Sequence, residues 1–166
     1  ILNINDGSGS TLNLDAKFDA LSGAVNPKRM PHLPTDLQFF NNFAYVTGEG
    51  ADGVFRLTIA NGTVTVVGSN TNNFIDLHKD ATDKLIRSPI GLVAAHAAGN
   101  FAFVANDGSR DVTALSFNAQ KIAGSEINDP RITQSSDLPA AGSAADTVLR
   151  GKRFFNTGIT RWSLKG

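Results

Sequence analysis

Three side chains of types that commonly bind metals alternate along one short segment of the chain. They are Asp76, His78 and Asp80, and in an extended strand every second side chain points to the same face. Carboxylate oxygens and imidazole nitrogens are ligands of zinc and other divalent cations. This segment is therefore our candidate metal site. The same residues lie in a polar insertion at 68–87, so an ordinary polar segment is the alternative interpretation.

The remaining residues that could do chemistry do not form a recognisable constellation. The other histidines are His32 and His96, and no pair of the three has the His-x-x-x-His spacing of a helical zinc site. The serines include no Gly-x-Ser-x-Gly nucleophile elbow. The glycine-rich segment 48–53 joins two strand patterns rather than opening a helix, which argues against a phosphate site. We predict no catalytic residues within this sequence.

Composition excludes several classes of function. The 166 residues carry 15 basic and 15 acidic side chains, so net charge gives no general attraction to nucleic acid. No stretch approaches the roughly 20 apolar residues of a membrane-spanning helix. The chain has no cysteine, which excludes disulfides, thiolate-bound zinc, iron–sulfur clusters and covalently attached haem within these residues. The chain begins at Ile1 without an initiator Met or a signal-peptide pattern, which is expected either of a mature secreted chain or of an internal fragment of a longer polypeptide.

The strand patterns indicate a β-rich protein. Alternating apolar residues run through Val54–Ile59 and Thr63–Val67, separated by Asn61-Gly62. Asparagine and glycine tolerate the positive φ angles of a two-residue hairpin turn. We therefore predict a β-hairpin here.

An internal repeat organises the centre of the chain. Phe43–Gly48 recurs as Phe101–Asn106, and we call the sequence distance between these two copies the repeat interval. Each copy follows a proline and an apolar strand, and precedes a loop, an alternating strand and a short closing strand. Four short antiparallel strands are the content of one propeller blade. We predict an all-β fold of two to three such blades, forming a partial propeller, with a short C-terminal helix.

The second copy of the repeat resembles the blades of bacterial extracytoplasmic β-propellers of the seven-bladed, YncE-like type. The resemblance is carried by Pro89–Gly91, Phe101–Asn106 and Asp111–Phe117, and it covers roughly residues 34–124. The first copy departs from the pattern, since Thr47-Gly48 replaces Ala-Asn. The resemblance implies a periplasmic or extracellular location.

The C-terminal part resembles the start of another domain. Leu138-Pro139 and then Arg150–Phe155 are similar to the linker and first helix of c-type cytochrome domains in the dihaem cytochrome c peroxidase and MauG-like group. The resemblance implies haem c in a continuation beyond Gly166. It further implies an electron-transfer or peroxidase-like oxidoreductase with its own redox partner, in which the propeller is a scaffold or docking part.

These patterns divide the chain into an N-terminal strand or loop segment at 1–33, two blades at 34–137, and a linker with the start of a helical domain at 138–166. Ser143 is the expected cap of the C-terminal helix. Its predicted apolar face contains Val148, Leu149 and Phe155, with the basic residues Arg150, Lys152 and Arg153 outward.

A second interpretation stays open: a non-catalytic β-repeat protein for protein binding or structural assembly. Under both interpretations the partner is protein, either the rest of the same polypeptide or another subunit, because two or three blades leave sheet edges and apolar faces uncovered.

Overall fold

The computed structural model describes residues 13–20, 31–61, 63–67, 74–78, 85–95, 100–117, 121–122, 132–134 and 136–156. Within them the fold is mostly β, with two antiparallel sheets and a C-terminal helix. The elements in chain order are α1 (Leu14–Asp19), β1 (Pro34–Phe40), β2 (Phe43–Gly48), β3 (Gly53–Ala60), β4 (Thr63–Val66), β5 (Phe74–Asp76), β6 (Pro89–Ala95), β7 (Phe101–Asn106), β8 (Asp111–Ser116), β9 (Lys121–Ile122), β10 (Ile132–Gln134) and α2 (Ala144–Asn156).

The first sheet is an antiparallel meander in which two short strands, β4 and β5, both pair with the same edge of β3. β1, β2 and β3 pair in order. β4 then pairs with the Leu57–Ala60 half of β3, and β5 with the Gly53–Phe55 half. Both run antiparallel to β3, so β4 and β5 together form one interrupted fourth strand. The segment 68–87, expected as an insertion, supplies β5.

The second sheet repeats this arrangement in the same register. Gly53 pairs with Asp76 in the first sheet, and Asp111 pairs with Gln134 in the second, so both partners are displaced along the chain by the repeat interval. The first strand of each sheet, β1 or β6, has an irregular register just after its initial proline, Pro34 or Pro89. The repeat seen in the sequence is therefore a structural repeat, and each unit includes the interrupted outer strand.

Asparagines with positive φ allow several tight turns. Asn61 has φ 50° between β3 and β4, which are paired up to Ala60 and Thr63, so the predicted hairpin is confirmed. Asn41 has φ 53° between β1 and β2. Asparagine is among the side chains that occupy this left-handed region with least cost.

The main core lies between the two sheets. Phe117 stacks on Tyr45 with ring centroids 4.0 Å apart and contacts Phe40 at 5.1 Å. Around them pack further buried residues from both sheets and, at Leu77, from the segment after β5: Val54, Ile75, Leu77, Leu92, Ala102, Val104 and Leu115. A second cluster on the other face of the first sheet contains Phe55 and Leu57, with Leu14 of α1 packed against it. Burial of these apolar faces is the main stabilising contribution.

The coarse part of the fold prediction is confirmed, because the described residues form two antiparallel sheets followed by a helix. Those residues do not form a closed propeller. In the part of the chain that the structure describes, neither helix is long and apolar enough to cross a membrane.

The C-terminal helix begins as predicted but docks on a different face. The Ser143 hydroxyl accepts a hydrogen bond from the Asp146 backbone N–H at 3.1 Å, which caps the helix. Leu149 is buried, whereas Val148 is 72% and Phe155 90% exposed. The prediction of a single buried apolar face was therefore wrong, since residues 148 and 155 point away from the sheets.

Replacing Phe117 by alanine is expected to lower the free energy of unfolding by about 3–5 kcal/mol, because the substitution opens a cavity in the inter-sheet core. Urea denaturation followed by circular dichroism measures the loss. Phe155→Ala is the matched control: it removes the same atoms from an exposed position and should change stability by no more than about 0.5 kcal/mol. Equal losses in the two variants would contradict this core.

Candidate functional site

Buried polar side chains gather where the connecting turns of the two sheets meet. One turn, Glu49–Asp52, joins β2 to β3, and the other, Asp107–Arg110, joins β7 to β8. The chain also passes here between the sheets, through residues 77–78 and 85–88. We call this group of side chains the turn-end cluster; its members are Asp52, Asp76, His78, Arg87, Ser88, Asn106, Asp111 and Thr113.

Asp52 is the first centre of the turn-end cluster. It is fully buried and adopts a left-handed conformation with φ 46°. Its Oδ1 accepts a hydrogen bond from the Ser88 backbone N–H at 2.8 Å, and its main-chain oxygen accepts one from the Leu77 N–H at 3.1 Å. Oδ2 lies 3.4 Å from His78 Nε2. The Asp52 side chain therefore contacts both His78, which follows the last strand of the first sheet, and Ser88, which precedes the first strand of the second sheet.

His78 lies between two carboxylates. Its Nδ1 is 2.8 Å from Asp76 Oδ1, and its Nε2 faces Asp52. Burial alone lowers the pKa of His78, but hydrogen bonds and charge interactions with Asp52 and Asp76 outweigh it and raise the pKa from 6.5 to about 9. At neutral pH the ring is therefore a cation, with both nitrogens protonated and directed at carboxylates.

A buried ion pair is the second centre of the turn-end cluster. Arg87 Nη1 donates to Asp111 Oδ2 at 2.6 Å, and its Nε donates to the Leu77 carbonyl at 3.2 Å. The Asn106 amide donates to Asp111 Oδ1 at 2.6 Å and to Thr113 Oγ1 at 2.8 Å. Arg87 and Asp111 are both nearly inaccessible to solvent, so neither charge is stabilised by water and each depends on these protein partners.

The turn of the second sheet fits closely against the chain segment that enters it. Gly108 donates its N–H to the Arg87 carbonyl at 2.9 Å. A Cβ at Gly108 would lie 2.8 Å from the Ile86 carbonyl oxygen, so a larger residue would force the backbone apart.

Helix α2 docks on the same turns through polar contacts. Lys152 pairs with the Asp107 carboxylate, and Arg153 donates to the Gly108 carbonyl, with Nε at 2.8 Å. The Asn156 amide donates to Glu49 Oε1 at 2.6 Å. Partial burial lowers the pKa of Arg153 from its ordinary value. The expectation that Lys152 and Arg153 point outward was wrong, because they hold the helix to the sheet ends.

The predicted metal site is described only in part. Asp76 and His78 are in contact, while Asp80 lies outside the described residues. A doubly protonated imidazole has no lone pair for a metal ion, so this contact is an ion pair in the charged state. Among the described residues no group of three or more His, Cys, Asp or Glu side chains is arranged to hold a metal ion. The three-residue site remains a prediction.

The other histidines lie elsewhere. The His32 ring packs against Gly50, where an added Cβ would come within 2.7 Å of it. His96 lies outside the described residues. The sequence patterns missed the pairing of Asp52 with His78 and of Asp111 with Arg87. Each pair joins a turn or strand end to a connecting segment more than 20 residues away in the sequence, which local patterns do not reveal.

The turn-end cluster joins elements of the fold. Both of its cations, His78 and Arg87, face carboxylates of the protein, and its hydrogen bonds connect the first sheet, the second sheet and the chain between them. In the comparisons, no protein family, curated protein or solved structure matches the chain.

The charge on His78 predicts a loss of stability at alkaline pH. Because folding raises its pKa, the contribution is complete below about pH 6.5, declines as the unfolded chain loses its proton, and is absent above about pH 9. Its full size is at most about 3 kcal/mol. The difference in unfolding free energy between the wild type and His78→Gln should therefore be larger at about pH 6 than at about pH 9.5.

The control for this pH series is His32→Gln, which removes an exposed imidazole. Its stability relative to the wild type should not follow the same pH window. A constant difference between wild type and His78→Gln across the series would contradict the charged His78.

Replacing Arg87 by methionine is expected to cost about 3–5 kcal/mol, because Asp111 is left buried without its counter-charge. Arg150→Met is the matched control: Arg150 pairs with Asp146 at 3.3 Å on the exposed side of α2, and such pairs contribute less than about 1 kcal/mol. The double variant Arg87→Met/Asp111→Asn should unfold at higher urea concentration than Arg87→Met alone. Equal stability of the two single variants would contradict the buried pair.

Proposed function

We propose that this chain is the scaffold or docking part of an extracytoplasmic β-propeller protein, located in the periplasm or outside the cell. In this proposal the propeller is linked to a c-type cytochrome domain in an electron-transfer or peroxidase-like oxidoreductase. The two sheets are two blades, and α2 is the first helix of the domain that follows them. The redox chemistry belongs to that domain, and the blades hold it in position for a redox partner.

The arrangement of the sheets supports the blade assignment. Each unit is an antiparallel meander four positions wide, which is the form of a propeller blade. The first strands of the two units are joined directly: Thr35 Oγ1 donates to the Pro89 carbonyl at 2.8 Å, and the Leu92 N–H donates to Asp36 Oδ2 at 2.8 Å. Adjacent blades packed face to face and joined at their first strands would be expected in a propeller.

The observation that carries the cytochrome proposal is the orientation of α2. The helix uses Leu149 and its basic residues to dock on the blades, which leaves Val148 and Phe155 exposed on another side. Large exposed apolar side chains on a docked helix indicate a surface that other protein covers. A following helical domain, packed on Val148 and Phe155, would supply that cover.

Haem does not fit the residues of this chain. Covalent attachment of haem c requires cysteines, and the sequence has none. We therefore derive no chemical step through haem here, and the proposal assigns it to a continuation beyond Gly166.

The second candidate is a non-catalytic β-repeat protein that binds protein or supports an assembly. It is favoured by the exposed apolar residues on the outer faces of the sheets, among them Phe39 and Phe103. This candidate requires no further domain.

The proposal is tested on the natural protein isolated from its source. We expect an intact mass well above the 17.5 kDa of these residues and the absorbance of covalently bound haem in a pyridine haemochromogen assay. A longer polypeptide without haem would overturn the oxidoreductase assignment. An intact mass equal to that of these residues alone would overturn the linked domain as well, and would leave the binding candidate.

A further inference from the structure

Helix α2 contacts the sheets with a mainly polar stripe. Its residues of reduced exposure are Asp146, Leu149, Arg153 and Asn156, which follow one another at intervals of three or four positions and therefore share one side of the helix. We call these four residues the docking stripe. Helices on the surface of globular proteins usually turn an apolar stripe towards the core. In the docking stripe Leu149 is the one apolar residue, and among the 13 residues of α2, all of them described, it alone is buried.

The docking stripe reaches the turns of both sheets through polar groups. Arg153 Nε donates to the Gly108 carbonyl at 2.8 Å, and the Asn156 amide donates to Glu49 Oε1 at 2.6 Å. The end of the helix also lies close to the first turn, because a Cβ at Gly50 would come within 2.7 Å of the Asn156 carbonyl oxygen. The position of α2 therefore depends on a few polar contacts with two turns.

One ion pair crosses from the helix to the turn of the second sheet. Lys152 lies next to the docking stripe and pairs with the Asp107 carboxylate, and the two side chains are 51% and 35% exposed. An ion pair with this much access to water is weakened as dissolved salt screens the two charges. The attachment of α2 should therefore depend on ionic strength.

The charges around Arg153 partly cancel. Asp146 and Asp52 attract the guanidinium, whereas Arg110 and Arg87 repel it. Because attraction and repulsion oppose each other there, we expect the pair of Lys152 with Asp107 to account for most of the salt dependence of docking.

The apolar side chains of α2 contribute little to its attachment. Val148, Phe154 and Phe155 are exposed, so most of the apolar surface of the helix is not used for docking. Helices in proteins are stabilised chiefly by packing of an apolar face, and an isolated helix of this length is marginal in water. The helix is therefore held more weakly than the strands, and its detachment should be accompanied by unwinding.

We propose that α2 is a salt-sensitive latch, a helix that detaches from the turn ends and unwinds while the two sheets stay folded. The pair of Lys152 with Asp107 and the polar contacts of the docking stripe determine the population of the detached form. Detachment uncovers the carboxylates of Glu49 and Asp107 and releases Leu149. The latch does not depend on the proposed electron-transfer role, because all of its contacts lie within this chain.

Hydrogen–deuterium exchange of the 166-residue chain, followed by mass spectrometry, tests the latch. Exchange is compared at constant pH in about 0.01 M and about 1 M sodium chloride, where the screening length is about 30 Å and about 3 Å. Amides of α2 report its detachment, and amides of β2 and β7 report opening of the sheets. We expect α2 to exchange faster than β7 at both concentrations. Its rate should rise about fivefold at high salt, as for loss of one exposed ion pair, with β2 and β7 unchanged.

Two methionine variants separate docking from the stability of the helix itself. Lys152→Met removes the ion pair to Asp107, so α2 should exchange about fivefold faster at low salt and respond little to added salt. Arg150→Met is the matched control, because Arg150 pairs with Asp146 within α2 and does not join the helix to the sheets through that pair. This control should keep the salt dependence of the wild type.

Exchanging the two charges tests the assigned partners. Asp107→Lys and Lys152→Asp should each speed the exchange of α2, because each places like charges opposite one another. The variant with both changes restores an opposite-charge pair of similar combined length, so slow exchange and its salt dependence should return. Circular dichroism checks that all variants keep the wild-type sheets.

Exchange in α2 that is as slow as in β7 at both salt concentrations, or that does not respond to salt, would overturn the latch. A response that Arg150→Met abolishes and Lys152→Met leaves intact would overturn it as well, because salt would then act within the helix. A double variant that exchanges as fast as the single variants would overturn the pairing of Lys152 with Asp107. None of these results depends on haem, so failure here is distinguishable from failure of the proposed function.

Discussion

The carboxylate of Asp52 links segments of the chain that are far apart in sequence. It accepts a hydrogen bond from the Ser88 backbone at the entry to the second sheet, and it faces His78 beyond the end of the first. A buried carboxylate without compensation costs several kcal/mol, so the fold depends on the cation of His78 and on this backbone donor. Asp52 therefore constrains the entry to the second sheet relative to the turn of the first, alongside the hydrogen bonds that join β1 to β6.

Polar and apolar contacts make different contributions to holding the sheets together. The aromatic stack of Tyr45 and Phe117 buries area but permits small shifts between the sheets. Arg87 permits few, because it is bound both to Asp111 of the second sheet and to the Leu77 carbonyl that follows the first sheet, and a shift of a few ångströms would leave a buried charge without its partners. We infer that the core provides most of the stability and the turn-end cluster fixes the alignment.

Local patterns predicted the parts of this structure that local forces determine. The Asn61 hairpin and the Ser143 cap follow from residues within a few positions of each other, and both are observed. The pairing of His78 with Asp52 was missed because it joins two strand ends. The docking face of α2 was predicted wrongly for a different reason. Periodicity identifies which residues share a face of the helix, but it does not show which face contacts the sheets. That depends on Asp107, a residue of a distant turn, which pairs with Lys152.

The outward faces of the two sheets differ. In the first sheet Phe55 and Leu57 are buried in a cluster on which Leu14 of α1 packs. In the second sheet Phe101 and Phe103 remain exposed on β7. Helix α2 docks on the turn ends of the sheets rather than on the strands, so a domain carried on α2 need not cover the outward face of the second sheet.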